Sequence, residues 1–256
     1  MDDKLPVSVL LLARDETRDL EALIPSLAFA REVVLVWDAA GDRATRDAAS
    51  RLGARVFERA LDGFGAQRAF ALAQCREDWV LWIDADERLG EHAVPALREA
   101  VARGDADGFT LGRRTWFLGR PIRFCGWRGE RVLRLFRRDR ARFDDAAVHE
   151  RVIVEGRIDP LPVTLEHLSY ASWDEARRKL LQYSAANAER LARDGRSVAL
   201  IDVMLRPPLR FVRMYVLQLG VLDGARGLLL CMLAATQVFL KYAQAWAAQR
   251  SGAGDP

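Results

Sequence analysis

Apolar positions along the chain follow two rhythms. Val7–Ala13, broken only by Ser8, and the unbroken Val33–Trp37 and Trp79–Ile83 are short apolar runs, whereas Leu20, Leu23, Ile24 and Leu27 recur at helical spacing. Arg43–Leu52 reads as a helix stopped by Gly53, with Arg55–Phe57 as a short strand after it, and the Ala-rich Phe64–Cys75 as the next helix. The first hundred residues therefore predict βαβαβαβ, a parallel sheet with crossover helices, its strands buried on both faces. After Gly108 the rhythm breaks into strand-like pieces, Phe109–Leu111, Val132–Phe136, Val148–Val154 and Val163–Leu165, separated by Gly, Pro and Arg. Ser172, with Glu175 three positions on, predicts a capping box that opens a helix. No internal repeat and no low-complexity linker appears.

The last fifty residues differ again. Leu205–Leu222 and Gly227–Trp246 are apolar and aromatic, interrupted by Asp223, Gly224 and Arg226. The longest charge-free stretch, Gly227–Leu240, has 14 residues, short of the roughly 20 that span a bilayer. Arg206, Arg210 and Arg213 precede it and Lys241 follows, which predicts a helix pair lying in the headgroup region. A helical hairpin packed on the domain or on another subunit is the alternative.

At 256 residues, half of them hydrophobic, the chain can bury a large core, and global disorder is excluded. The net charge of +3 is small but unevenly spread: Arg113 to Arg142 holds 11 arginines against Glu130 and Asp139. That segment should attract anions, while no helix-turn-helix or RNA-binding signature accompanies it, so nucleic acid is not the expected partner. Cys75, Cys125 and Cys231 have no metal-like spacing and favour a reducing cytoplasm. The acidic start, whose apolar run ends in Arg14, Asp15 and Glu16, shows no secretory signal.

The most pointed chemistry follows the third of the short apolar runs. Trp79–Ile83 leads straight into Asp84, Ala85, Asp86 and Glu87, at the strand end where open α/β sheets bind ligands. In extended chain Asp84 and Asp86 face one side, with the small Ala85 between them, and can share Mg²⁺ or Mn²⁺ bound together with a diphosphate. Gln67 and Arg68 start a helix after a Gly-rich turn and could reach the same diphosphate.

Gly63-Phe64-Gly65-Ala66-Gln67-Arg68 followed by Asp78 through Glu87, then Gly126-Trp127, Arg134-Leu135-Phe136-Arg137, Val148-His149-Glu150, His167-Leu168-Ser169-Tyr170 and Lys179 through Tyr183-Ser184, stand in an order and spacing of high specificity. The set resembles the inverting glycosyltransferases of family 2, nearest the subgroup of lipopolysaccharide-core β-1,4-glucosyltransferases, over residues 7 to 245. The resemblance implies an α/β fold of GT-A type, a Rossmann-like mixed sheet flanked by helices. It would occupy residues 1–195, with a nucleotide-binding half at 1–107 and an acceptor half at 108–195, followed by a membrane-interfacial helical extension at 196–256. It implies a metal-dependent hexosyltransferase that carries glucose from UDP-glucose to a lipid-linked glycan such as the lipopolysaccharide inner core, at the cytoplasmic face of the inner membrane. It places nucleotide contacts at Ala13, Arg14, Asp15, Glu16 and Asp38, the cation at Asp84 and Asp86, and a further metal or diphosphate contact at His167. Glu150 falls where the family's catalytic acid residue is expected, with Asp145 and Asp144 as alternatives. Inversion requires such a base to deprotonate the acceptor hydroxyl.

The chain departs from the family pattern at Asp15, where Asn is usual, and at Gly41-Asp42-Arg43-Ala44-Thr45, where Ser-x-Asp-x-Thr is usual. Uridine stays the expected base because Asp38 is kept and can accept an imide N–H. Two rival readings remain. A sugar nucleotidylyltransferase would need a Gly-rich basic loop after the first strand, and Arg14-Asp15-Glu16-Thr17 contains no glycine. A catalytically idle membrane-associated binding protein would have no reason to keep Asp84, Asp86 and Glu150.

Overall fold

The computed structural model describes residues 4–144 and 152–251. Its elements run β1 (Leu5–Ala13), α1 (Thr17–Leu23), β2 (Ala30–Asp38), α2 (Arg43–Arg51), β3 (Arg55–Arg59), α3 (Phe64–Gln74), β4 (Trp79–Trp82), β5 (Glu87–Leu89), α4 (Ala93–Arg103), β6 (Gly108–Phe117), β7 (Arg120–Pro121), β8 (Arg131–Arg137), β9 (Ala141–Phe143), β10 (Val152–Val154), β11 (Ile158–Tyr170), α5 (Trp173–Arg193), α6 (Leu200–Val212) and α7 (Gly224–Ser251).

The predicted alternation is present: β3, β2, β1 and β4 lie side by side and parallel. The sheet then turns mixed, because β8 joins β4 antiparallel and is followed by β6, β11 and β5. The strand residues sort by the period of two that a pleat imposes. Val7, Val9 and Leu11 of β1 pack on one face with Leu20, Leu23 and Leu97, while Leu10 packs on the other with Ala71, Leu72 and Val80. Helices therefore cover both faces, and the strand ends carry the polar groups. At the end where β1 enters, the half-buried Glu32 accepts hydrogen bonds from Ser8 Oγ (2.5 Å), the Arg76 amide (2.6 Å) and Arg55 Nη1 (2.5 Å).

Two compact units are distinguishable: Met1–Arg113 with Gly129–His167, and Arg114–Arg128 with Leu168–Pro256. The division expected at residue 195 instead falls inside the second unit, since α5 packs on α7 there. In that unit Phe117, Ile122, Ala176 and Met214 form one apolar cluster, and Ala188, Leu191, Val203, Tyr242 and Ala245 another. Ser172 caps α5 as predicted, accepting from the Glu175 amide at 3.2 Å, while the Glu175 carboxylate accepts from Ala171. The expected Leu205–Leu222 helix starts earlier and ends sooner. It contains Pro207 and Pro208, passes into a π turn at Arg213–Leu217, and stops where Leu219 takes φ +57°. Among the described residues one helix, Gly220–Arg250 counted with its lead-in, is long and apolar enough to cross a membrane. All three cysteines are buried free thiols; burial pushes Cys75 up to about 12 and raises Cys125 and Cys231 as well, so none offers a thiolate at neutral pH.

Candidate active site

The carboxyl ends of β1 and β2 form the first rim. After Ala13 the chain turns on Glu16, whose carboxylate accepts from the amides of Arg14 (2.6 Å) and Asp15 (2.9 Å). Asp15 then accepts from the Asp42 amide at 2.7 Å, tying the loop after β1 to the loop after β2. Gly41 has to be glycine here, because a Cβ would overlap the Arg14 carbonyl. Asp38 is nearly buried; its Oδ1 accepts from the amides of Ala40 and Leu61, both at 3.2 Å, and its Oδ2 lies 3.6 Å from Arg14 Nη1. Asp15 thus does the loop-tying work that a neutral amide side chain could also do, which accounts for one departure from the family pattern.

At the end of β4 the acids separate by role. Asp84 Oδ2 receives Arg134 Nη2 at 2.7 Å, and its Oδ1 receives the Trp82 indole N–H at 3.2 Å, with Arg68 Nη2 at 4.0 Å. Glu87 is fully buried and takes the same Arg134 Nη2 at 2.6 Å, while its second oxygen accepts from the Asp84 amide at 3.1 Å. Arg134 and Arg68 both lie over the Trp82 ring, their guanidinium carbons 4.1 and 4.5 Å from its centroid. One buried cation therefore neutralises two carboxylates that would otherwise repel across the turn.

The electrostatics follow from that arrangement. Burial alone would raise the Asp84 pKa, but Arg134 and Arg68 outweigh it and hold the carboxyl below its ordinary value. Burial lowers the Arg68 pKa, partly offset by Asp84. For Arg134 the two acids overcome burial, and its charge is fixed. The pairing of Arg134 with Glu87 escapes sequence reasoning: 47 positions separate the two, and no local pattern links them.

Asp86 is turned the other way. His167 on β11 places its Nε2 3.4 Å from Asp86 Oδ2, and β11 is held there by pairing with β5, His167 opposite Glu87. The strand β5 was not anticipated from the sequence, yet it is what brings His167 to the acids. Among the described residues no group of three or more His, Cys, Asp or Glu side chains gathers as a metal site. A carboxylate and an imidazole fit Mg²⁺ or Mn²⁺ nonetheless, since these ions keep waters and share substrate phosphates rather than needing a full protein cage. Asp86 and His167 are the residues that would hold the ion, with Asp84 engaged by Arg134.

Gln67 turns inward. It is buried, its Oε1 accepting from Arg59 Nη1 at 2.8 Å and its Nε2 donating to the Arg59 carbonyl at 3.2 Å, so it fastens the start of α3 to β3. Its neighbour Arg68 is the member of the pair that reaches the acids. Ala85 is buried and its carbonyl accepts from Arg88 at 2.7 Å. Glu150, Asp145 and His149 lie outside the described residues, and Asp144 ends the described segment after β9.

Residues 8–152 match the model of the family described as glycosyl transferase family 2. The chain belongs to that family. A lipopolysaccharide core biosynthesis glycosyltransferase, LpsC of Rhizobium meliloti (strain 1021), is 30% identical over 95% of both chains. An uncharacterised glycosyltransferase of Rickettsia bellii (strain RML369-C) is 23% identical over 93% of this chain and 85% of its own. Among solved structures, residues 1–349 of Staphylococcus aureus TarS align over 97% of this chain and 92% of that one at 12% identity, with a TM-score of 0.43. As a member of family 2 the protein is a glycosyltransferase with a mixed sheet flanked by helices, which sets the nucleotidylyltransferase reading aside.

Proposed function

We propose that this family 2 enzyme is an inverting hexosyltransferase moving glucose from UDP-glucose to a lipid-linked saccharide of the lipopolysaccharide core, at the cytoplasmic face of the inner membrane. The observation that carries the reading is the rim at the end of β4, where Asp86 and His167 stand together and Arg68 flanks Asp84. The loops after β1 and β2 hold the nucleoside, with Ala13 to Glu16 and Asp38 as its contacts. Arg68 meets the diphosphate. Glu150 takes the proton of the acceptor hydroxyl as the new glycosidic bond forms and the diphosphate leaves from the opposite face of the sugar. Mg²⁺ or Mn²⁺ held by Asp86 and His167 would supply Lewis-acid stabilisation of that leaving group. The acceptor class follows the name of the Rhizobium relative, and the exposed apolar surface of α6 and α7 supports a membrane-borne substrate.

The test is a thermal-shift panel of nucleoside diphosphates and nucleotide sugars with and without Mn²⁺, followed by transfer assays on core-truncated lipopolysaccharide. Uridine nucleotides should raise the melting temperature in a Mn²⁺-dependent way; a shift with guanosine or thymidine nucleotides alone overturns the donor assignment. Glu150→Gln should keep the nucleotide shift and lower turnover about a hundredfold or more, and a fully active variant removes Glu150 as base. Nucleotide binding without transfer to any saccharide would leave a catalytically idle binding protein.

A further inference from the structure

The second unit has a surface that its own core does not account for. Met204, Leu205 and Leu209 of α6 are at least half exposed, Leu217 in the turn that follows is 74% exposed, and Met232 and Phe239 on α7 continue the patch. Between α6 and α7 lies an apolar groove of about 370 Å³ bordered by Pro207, Pro208, Phe211, Met232 and Phe239. The two prolines lie within α6 and have no N–H to offer the preceding turn. An exposed apolar patch of this extent on a soluble surface is a binding surface or a liability.

Charge says what it binds. From residue 203 to 251 the sequence has Arg206, Arg210, Arg213, Arg226, Lys241 and Arg250 against one acid, Asp223. Asp223 is already used, accepting from the amides of Arg123 (3.0 Å) and Phe124 (2.9 Å). Arg206 is also used, bonded to Asp202 at 2.6 Å and lying over Tyr242. Arg210 and Arg213 are instead both exposed and three residues apart, with Phe211 of the groove border between them in the chain, and burial together with the Arg213 charge lowers the Arg210 pKa. An exposed arginine pair on the chain segment that borders an apolar groove fits an anionic phospholipid, its phosphate on the guanidinium groups and a chain in the groove.

The helix α7 is long enough to span, but its far half is fastened to protein. Tyr242 and Ala245 are buried with Ala188 and Leu191 of α5, and Gln249 bonds the Val198 amide (3.0 Å) and the Arg196 carbonyl (2.7 Å). Lys241 is surrounded by Arg190, Arg196 and Arg206, whose charges add to burial in lowering its pKa. Hydrocarbon on all sides of that segment would strand these charges.

We infer that the α6–α7 face seats the enzyme in one anionic leaflet without crossing it, with an acyl chain in the Pro207–Phe239 groove and a lipid phosphate on Arg210 and Arg213. The inference rests on the membrane-surface reading above and gives it a site. The test uses the full chain and flotation with phosphatidylcholine vesicles, with and without phosphatidylglycerol. Binding should require phosphatidylglycerol, and Arg210→Gln with Arg213→Gln should weaken it roughly twenty- to thirtyfold. Phe239→Trp should be quenched by lipids brominated along the chain, and Met232→Asp should abolish both binding and quenching, with the uridine-nucleotide thermal shift confirming that each variant is folded. Equal binding to neutral vesicles, an unquenched Trp, or retention in the membrane after alkaline extraction each overturns the seat. So does a lipid-free dimer by light scattering that Leu209→Gln dissolves. Vesicle binding with no glycosyl transfer supports the seat and removes the transferase assignment, so the two readings fail separately.

Discussion

The rim at the end of β4 and the outer face of α6 and α7 handle unfavourable groups in opposite ways. The first buries charge and pairs it: Arg134, 3% exposed, is shared by Asp84 and Glu87 and lies over Trp82. The second leaves apolar side chains in the open and arginines beside them. A buried ion pair is rarely kept for stability alone, because desolvating both partners offsets most of their attraction. What the pair contributes at β4 is geometry: with Glu87 and Asp84 fixed on one cation, Asp86 is left pointing to His167. If the proposed membrane seat holds, the apolar face needs no such precision, since a lipid surface would conform to it.

The sharpest way to break the comparison is to remove the shared cation. Arg134→Met leaves the buried Glu87 unpaired beside Asp84 and should cost about 3–5 kcal/mol, read as a loss in denaturant midpoint with uridine-nucleotide binding. Adding Glu87→Leu and Asp84→Asn to that variant should recover most of the stability and none of the nucleotide binding. If Arg134→Met alone is as stable as wild type, the buried cation is not what orders the turn.

Next in size is Asp86. Asp86→Asn should weaken Mn²⁺-dependent nucleotide binding by about a hundredfold while the unfolding midpoint without nucleotide stays within about 0.5 kcal/mol of wild type. Calorimetric titration of UDP with and without Mn²⁺ separates the two effects. Unchanged Mn²⁺ dependence would move the cation away from Asp86 and His167.

These two residues also mark how far the sequence could be read. The βα prelude, the strand Trp79–Trp82 and the acids after it were legible because buried strands and strand-end polar residues leave a local signature. Asp84 and Asp86 could be paired by alternation, but their separation into an arginine-bound acid and a histidine-facing one could not. That difference depends on Arg134 from β8 and on β5, a three-residue strand beginning at Glu87 whose apolar content is too low to stand out. Gln67 misled for a related reason. Its position after a Gly-rich turn suggested a ligand, whereas Arg59, eight residues earlier, satisfies its amide. The two helical stretches at the end were recognisable, but the φ of Leu219 and the prolines of α6 decide where the chain turns.

Glu32 tests whether pairing charge well is confined to the active rim. It lies at the other end of the strands, and although burial alone would raise its pKa, Ser8, the Arg76 amide and Arg55 hold it below the ordinary value. A carboxyl with a depressed folded pKa contributes stability that is fully present above its unfolded value of about 4.3 and is lost as pH falls through the folded one. Glu32→Gln should therefore cost about 1–3 kcal/mol at pH 7 and flatten the decline in stability below about pH 4, with nucleotide binding unchanged. Urea midpoints between pH 3 and 7 provide the measurement, and an unaltered acid limb would remove Glu32 from the account.

The smallest effect on folding belongs to the apolar face, and its smallness is the point. Leu209 is 64% exposed in the last turn of α6, so replacing it by Gln, also a good helix former, removes little buried area and should shift stability by no more than about 0.5 kcal/mol in either direction. A residue that matters for the core cannot behave in this way. If Leu209→Gln instead lowers the urea midpoint by several times that amount, the face is part of the fold, and the contrast with the paired charges of β4 disappears. If stability holds while flotation on phosphatidylglycerol vesicles weakens, the exposed leucine serves an outside surface, and the two regions differ in purpose as well as in chemistry.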